Sequence, residues 1–84
     1  MISVPFAALE KLLLELGFHA VAVPGTHLLF EHPEAQLEIA LRPYKPTDVV
    51  APHSLVYVRQ QLDAFGILDR EEFEEQLRQR SLVG

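Results

Sequence analysis

Near its start the chain repeats apolar residues with the period of an α-helix. The positions that recur every three or four residues are Phe6, Leu9, Leu12, Leu13 and Leu16. They share one face of a helix, with charged residues on the other face. Pro5 is tolerated in a first turn because its missing N–H would have no intrahelical partner there, and Gly17 is a typical stop. The pattern predicts an amphipathic helix from about Val4 to Leu16.

Three stretches with the pattern of β-strands follow this helix. They run from Phe18 to Val23, from His27 to Glu31 and from Gln36 to Arg42. The third alternates apolar and polar residues with the two-residue period of a half-buried strand. The first connection, Pro24-Gly25, suits a type II turn in which the glycine takes a positive φ, and the second, His32-Pro33-Glu34-Ala35, is also short. Two short connections predict an antiparallel meander.

After the meander the sequence predicts a stiff loop and a second helix. Residues 43 to 52 contain three prolines, which prevent regular backbone hydrogen bonding at those points. Apolar residues then return at helical spacing, at Leu55, Val58, Leu62 and Phe65. Gly66 is the expected stop of this helix.

A third helix is predicted from Asp69 onward, where Asp69 and Glu72 form a capping pair. Its apolar stripe consists only of Phe73 and Leu77, so we expect it to pack weakly. The elements follow the order α-β-β-β-α-α. This order predicts one α+β domain over residues 1 to 84.

The composition narrows what this domain can do. The chain has 84 residues and no cysteine, which excludes thiolate nucleophiles and zinc sites with sulfur ligands. A domain of this size buries only about 60% of its unfolded surface and often needs a partner subunit, so a homodimer is expected. No apolar run approaches the ~20 residues that cross a bilayer, and the start lacks the pattern of a signal peptide. We expect a cytoplasmic protein without membrane contact.

The chain carries more acidic than basic residues. A net charge of −5 works against nucleic-acid binding, which relies on clustered lysine and arginine. The run Glu71-Glu72-Phe73-Glu74-Glu75 is typical of a solvated helix face or a partner-binding surface, because exposed carboxylates lack the burial that would adapt them to acid–base catalysis.

Among the four histidines, His27 has the most suggestive surroundings. Gly25 exposes backbone N–H groups and Thr26 offers a hydroxyl, so an anionic group could approach the turn closely. The other interpretation is an ordinary strand-entry histidine that faces solvent. His19 could face either side of the sheet, whereas surface positions are expected for the remaining two, His32 and His53.

A metal site that joins His27 and His32 is disfavoured, although Glu31 and Glu34 lie close by in sequence. Strand alternation puts His27 and Glu31 on one face of the sheet and His32 on the other. We expect neither a metal nor a cofactor.

Several of these features together resemble the HicA (YcfA-like) toxin family, over about residues 5 to 66. They are the helix that ends at Gly17-Phe18, the motif Gly25-Thr26-His27-Leu28-Leu29-Phe30, the pair His32-Pro33, and the strand that ends at Arg42-Pro43. The defining motif of the family is a glycine, a serine and a catalytic histidine that enters the second strand, with an aromatic residue three positions later. Gly25, Thr26, His27 and Phe30 fall on those positions, with threonine in place of serine. The family commonly has a second histidine after the proline that ends the third strand, where this chain has Tyr44.

The resemblance implies a double-stranded-RNA-binding-domain-like α-β-β-β-α fold, to which residues 67 to 84 add an acidic helix. Family members are small ribonucleases that cleave messenger RNA and are usually inhibited by a HicB antitoxin. His27 would then act as a general acid or base on RNA without a metal. Backbone amides at Gly25 and Thr26, together with Arg42 or Lys45, would bind the RNA and stabilise charge on its phosphate.

A non-catalytic member of the same fold is the alternative that the sequence leaves open. Such a protein would use its meander or its acidic helix to bind another protein or a second copy of itself. The arrangement of charges separates the two hypotheses. Convergence of Arg42, Lys45 and Arg59 beside an accessible His27 favours the nuclease, and facing carboxylates from Glu31 and Glu38 oppose it.

Overall fold

The order of elements along the chain is the predicted one. A computed structural model describes residues 3 to 21 and 27 to 82. Its helices and strands are α1 (Phe6–Glu15), β1 (His19–Val21), β2 (Leu28–His32), β3 (Leu37–Leu41), α2 (Pro52–Ala64) and α3 (Arg70–Leu82). The α+β class is therefore confirmed. The predicted turn at Pro24-Gly25, and with it Thr26, lies outside the described residues.

The three strands form an antiparallel sheet in the order β1-β2-β3, as a meander requires. Phe30 at the centre of β2 lies opposite Ala20 on one side and Ile39 on the other. The connection from β2 to β3 ends at Gln36, whose φ of 55° is left-handed. Gln36 therefore belongs to the turn, and β3 begins one residue later than predicted.

One face of the sheet carries the core. Along β3 the side chains of Leu37, Ile39 and Leu41 are buried, and those of Glu38 and Ala40 are exposed. This confirms the predicted two-residue period. The helices cover the buried face, with α1 against β1 and α2 against β3.

The start of α1 differs from the prediction because the preceding residues pair with the proline-rich loop. Pro5 forms an isolated antiparallel bridge with Val49, and Val4 accepts a 2.8 Å hydrogen bond from the N–H of Val50. The first helical residue is therefore Phe6, whose own N–H donates to the carbonyl of Asp48. At the other end Gly17 takes a φ of 103°, a conformation that favours glycine, so the predicted stop is confirmed.

The prediction that α3 packs weakly is wrong. Phe73 and Leu77 are each only 2% exposed, because α3 lies against both α1 and α2. Asp69 accepts a 2.8 Å hydrogen bond from the N–H of Glu72, as a capping residue should. Phe65, expected in the apolar stripe of α2, follows the end of that helix and is 47% exposed.

Ion pairs join α3 to both neighbouring helices. Arg59 on α2 pairs with Glu74 at 3.2 Å, and Arg80 pairs with Glu15 on α1. No helix within the described residues has the length and apolar character needed to span a membrane.

Candidate functional site

His27 lies exposed at the residue that immediately precedes β2. The ladder between β2 and β3 ends with Leu28 opposite Leu41. His27 and Arg42 are the next residues along the two chain segments, and both are exposed. Their positions alternate with Leu28 and Leu41 of the buried face, so strand alternation assigns them to the face of the sheet that the helices leave uncovered. The ends of the two strands thus bring the backbones of a histidine and an arginine to one end of the sheet.

The carboxylates of the same face lie towards its opposite end. Glu31 lies opposite Glu38 on one side and His19 on the other. Four residues of extended chain separate His27 from Glu31, which is about 13 Å and exceeds the Debye length of about 8 Å at physiological ionic strength. Glu31 and Glu38 therefore share a face with His27 without lying next to it.

Arg42 is held by an aromatic side chain from the loop after β3. Its guanidinium carbon lies 4.9 Å from the centre of the Tyr44 ring, a cation–π arrangement. The other neighbour of that ring is Phe6 on α1, stacked with 5.4 Å between the ring centres. The core of the protein thus positions Arg42 through Tyr44.

The phenol of Tyr44 is fixed at the start of α2. Its oxygen lies 3.0 Å from Oγ of Ser54 and accepts a 3.1 Å hydrogen bond from the N–H of Ala51. Partial burial acts to raise the pKa of Tyr44, but the hydrogen bonds to Ser54 and Ala51 and the nearby charge of Arg42 outweigh it and lower the pKa below its ordinary value. Sequence reasoning treated Tyr44 only as a departure from the family and missed this role.

The lowered pKa of Tyr44 predicts a measurable titration. The chain has two tyrosines and no tryptophan, so in a Tyr57→Phe background the ultraviolet signal of phenolate reports Tyr44 alone. We expect its midpoint below the ordinary value of about 10. Since the folded pKa is the lower one, ionisation adds stability that is fully present above the unfolded pKa and is lost as the pH falls through the folded pKa.

Two controls make the Tyr44 titration decisive. Ser54→Ala removes a hydrogen-bond partner and should raise the midpoint, while a conservative change at a distant exposed site, such as Gln60→Asn, should leave it unchanged. A midpoint at or above about 10 in the Tyr57→Phe protein would contradict the prediction.

The other two predicted cations do not form one cluster with His27. Lys45 is exposed in the loop, where its backbone N–H donates to a carboxylate oxygen of Asp48 at 2.8 Å. Arg59 pairs with Glu74 between α2 and α3. Of the three, only Arg42 directly follows the end of the β2–β3 ladder that His27 directly precedes.

His32 is a structural residue, so the surface position expected for it is wrong. The N–H of Ala35 donates to its Nδ1 at 3.1 Å, which leaves Nε2 to donate to the carbonyl of Leu16 at 3.0 Å. Its ring also meets Phe18 edge-on, with 5.0 Å between the ring centres. His32 therefore ties the end of α1 to the turn after β2.

The other histidines, His19 and His53, are exposed. Within residues 3 to 21 and 27 to 82, no three side chains of histidine, aspartate or glutamate converge as metal ligands. An exposed imidazole such as that of His27 is able to take part in proton transfer. A guanidinium such as that of Arg42 can bind a phosphate through paired N–H groups.

Comparison of the chain with models of protein families, with curated proteins and with solved structures gives no match.

Proposed function

We propose that this protein is a HicA-like RNA-binding protein that cleaves RNA through His27 without a metal. The observation that carries the proposal is the register of β2 and β3, whose last pair, Leu28 and Leu41, is flanked by an exposed His27 on one segment and an exposed Arg42 on the other. The order α-β-β-β-α, with α1 and α2 on one face of the sheet, supports a double-stranded-RNA-binding-domain-like core. α3 is an addition to that core.

In the proposed reaction His27 removes the proton from a 2′-hydroxyl of the RNA. The 2′-oxygen attacks the adjacent phosphorus, the bond from phosphorus to the 5′-oxygen breaks, and the 5′-oxygen takes a proton from water. The protonated His27 then returns its proton to the resulting hydroxide, which restores the neutral imidazole. The products are a 2′,3′-cyclic phosphate and a 5′-hydroxyl end. Arg42 stabilises the negative charge that develops on the phosphate oxygens, and the backbone amides of Gly25 and Thr26 are proposed to bind the same group. Lys45, further along the loop, would contact the backbone of the RNA.

The acidity of the chain is compatible with this proposal because the charges are distributed unevenly. Glu31 and Glu38 lie beyond the Debye length of about 8 Å from His27, and ion pairs match one carboxylate on α3, Glu74 with Arg59, and one on α1, Glu15 with Arg80. A local patch at Arg42 and Lys45 can therefore attract a phosphate where the protein as a whole repels it.

The test of the proposal is incubation of the purified protein with a mixed RNA pool, with a chelator present. We expect cleavage that leaves cyclic phosphate ends, and none of a pool of the same sequences whose 2′-hydroxyls are methylated, because the attacking group is then blocked. Binding of both pools, followed by fluorescence anisotropy, should be similar. Equal cleavage of the two pools would refute the mechanism, and absence of cleavage and binding would refute the function.

A second candidate, a non-catalytic module that binds another protein, is favoured by a groove beside α3. The groove has a volume of about 600 Å³ and lies between α2 and α3, where Leu55, Val56 and Leu77 contribute apolar surface between charged side chains. A HicB-like antitoxin is the partner expected if the family assignment holds. Retention of such a partner by a protein that neither binds nor cleaves RNA would favour this candidate.

A further inference from the structure

β3 lies at an edge of the sheet, with β2 on one side and no other strand of the described residues on its far side. An edge strand presents unpaired backbone N–H and C=O groups, which can pair with a strand of another chain. The side chains of Glu38 and Ala40 on the uncovered face are exposed. The opposite edge is β1, of which the structure describes three residues, His19–Val21.

We infer that β3 pairs antiparallel with β3 of a second copy of this chain, about a two-fold axis that passes between the two Ala40 residues. In this register Glu38 of each copy lies opposite Arg42 of the other, and opposite charges on facing residues are favourable. On the helix side, Ile39 of each copy lies opposite Leu41 of the other. Every facing pair is thus matched in charge or in apolar character.

Neighbouring registers lack this complementarity. An axis at Ile39 sets Glu38 against Ala40 and forms no charge pair. An axis at Glu38 sets two like charges directly opposite each other, which is unfavourable. Of these registers, only the axis at Ala40 pairs Glu38 of the strand with Arg42, the residue that follows it.

The geometry of the pairing also limits the assembly to two copies. A two-fold axis perpendicular to the sheet keeps the helices of both copies on one side and joins the two meanders into a continuous six-stranded sheet. Such an interface uses the same surface on both copies and ends at the dimer. Pairing of β3 with the short β1 of another copy would instead propagate into a chain of molecules.

The size of this interface predicts a weak dimer. One pair of five-residue strands is far smaller than the roughly 1,200–2,000 Å² that stable interfaces bury. The charge pairs are exposed and are therefore weakened by salt. We expect a dimer that forms at high protein concentration and dissociates on dilution or at high salt. This inference and the proposed function both use Arg42, since Glu38 of the second copy would pair with the guanidinium that the proposed function assigns to the phosphate. Its test measures molecular mass and not RNA, so either proposal can fail without the other.

Charge reversal tests the register directly. Sedimentation velocity over a wide range of concentrations should show dimer formation by the wild type. Glu38→Arg or Arg42→Glu alone puts like charges opposite each other at both ends of the interface and should raise the dissociation constant about tenfold or more. The double variant E38R/R42E restores opposite charges and should return it to near the wild-type value. A wild-type protein that stays monomeric at all concentrations, or a double variant no better than the single ones, would overturn the inference.

A cysteine probe supplies a second, independent measurement. The chain has no cysteine, so Ala40→Cys places one thiol at the two-fold axis. Facing residues of antiparallel strands have Cα atoms about 4.5–5.5 Å apart, within the roughly 4.4–6.8 Å that disulfides span. We expect rapid oxidation of this variant to a covalent dimer. Ala64→Cys, at the exposed end of α2, is the matched control and should oxidise slowly, and equal rates would count against the pairing.

Discussion

The His27→Ala variant is expected to cleave RNA about 10²–10⁴-fold more slowly than the wild type, the usual contribution of a positioned general acid or base. His27 would supply the proton transfer that activates the 2′-hydroxyl, and no other histidine lies beside Arg42 in the described residues. Its exposed side chain contributes little to packing, so the stability of the variant should stay within about 0.5 kcal/mol of the wild type. Single-turnover cleavage of a labelled RNA and urea unfolding measure the two quantities.

His19→Ala is the matched control for His27→Ala. His19 is also exposed and lies on the same face of the sheet, where it pairs from β1 with Glu31 on β2. It is remote from Arg42. The His19→Ala variant should therefore cleave RNA at the wild-type rate. If the two alanine variants lose activity equally, or if His27→Ala cleaves as fast as the wild type, the catalytic role of His27 is refuted. RNA binding by His27→Ala with no cleavage would confirm that the defect is chemical.

The Phe73→Ala variant is expected to lower the free energy of unfolding by about 3–5 kcal/mol. Phe73 is 2% exposed and fills the space where α3 meets the rest of the core, so its loss leaves a cavity there. Small domains have total stabilities near the low end of about 5–15 kcal/mol, and the variant should therefore be largely unfolded near physiological temperature. Circular dichroism during urea and thermal unfolding measures the loss.

Phe65→Ala provides the same substitution at an exposed site. Phe65 is 47% exposed after the end of α2, so its loss should cost less than about 1 kcal/mol. If Phe73→Ala costs no more than Phe65→Ala, then α3 is a loosely attached helix and the packing described above is wrong. A large cost at Phe73 alone would show that residues 70 to 82 are part of the folding unit.

The bounds of most elements could be predicted from the sequence because they depend on neighbouring residues. The two-residue period of β3, the stop at Gly17 and the cap at Asp69 are local properties, and the structure confirms each of them. The errors occur where a distant segment decides the outcome. α1 begins late because Val4 and Pro5 pair with the loop around Val49.

For the candidate site, too, local features could be predicted from the sequence and features set by distant segments could not. The motif around His27 is contiguous in sequence and could be singled out without a structure, and alternation correctly separated His27 from His32. The distance of Glu31 from His27 follows from four residues of one strand, whereas the distance of Glu38 depends on the register of β2 and β3.

What the sequence by itself determined is the order of helices and strands, the buried face of each and the motif from Gly25 to Phe30. Tertiary structure alone decided which side chains meet: the ring of Tyr44 between Arg42 and Phe6, the ring of His32 against Phe18, and Phe73 within the core. The reason is physical. Periodicity and capping arise from interactions a few residues apart, whereas strand register and helix packing minimise the free energy of the whole chain at once, and no local pattern records the result.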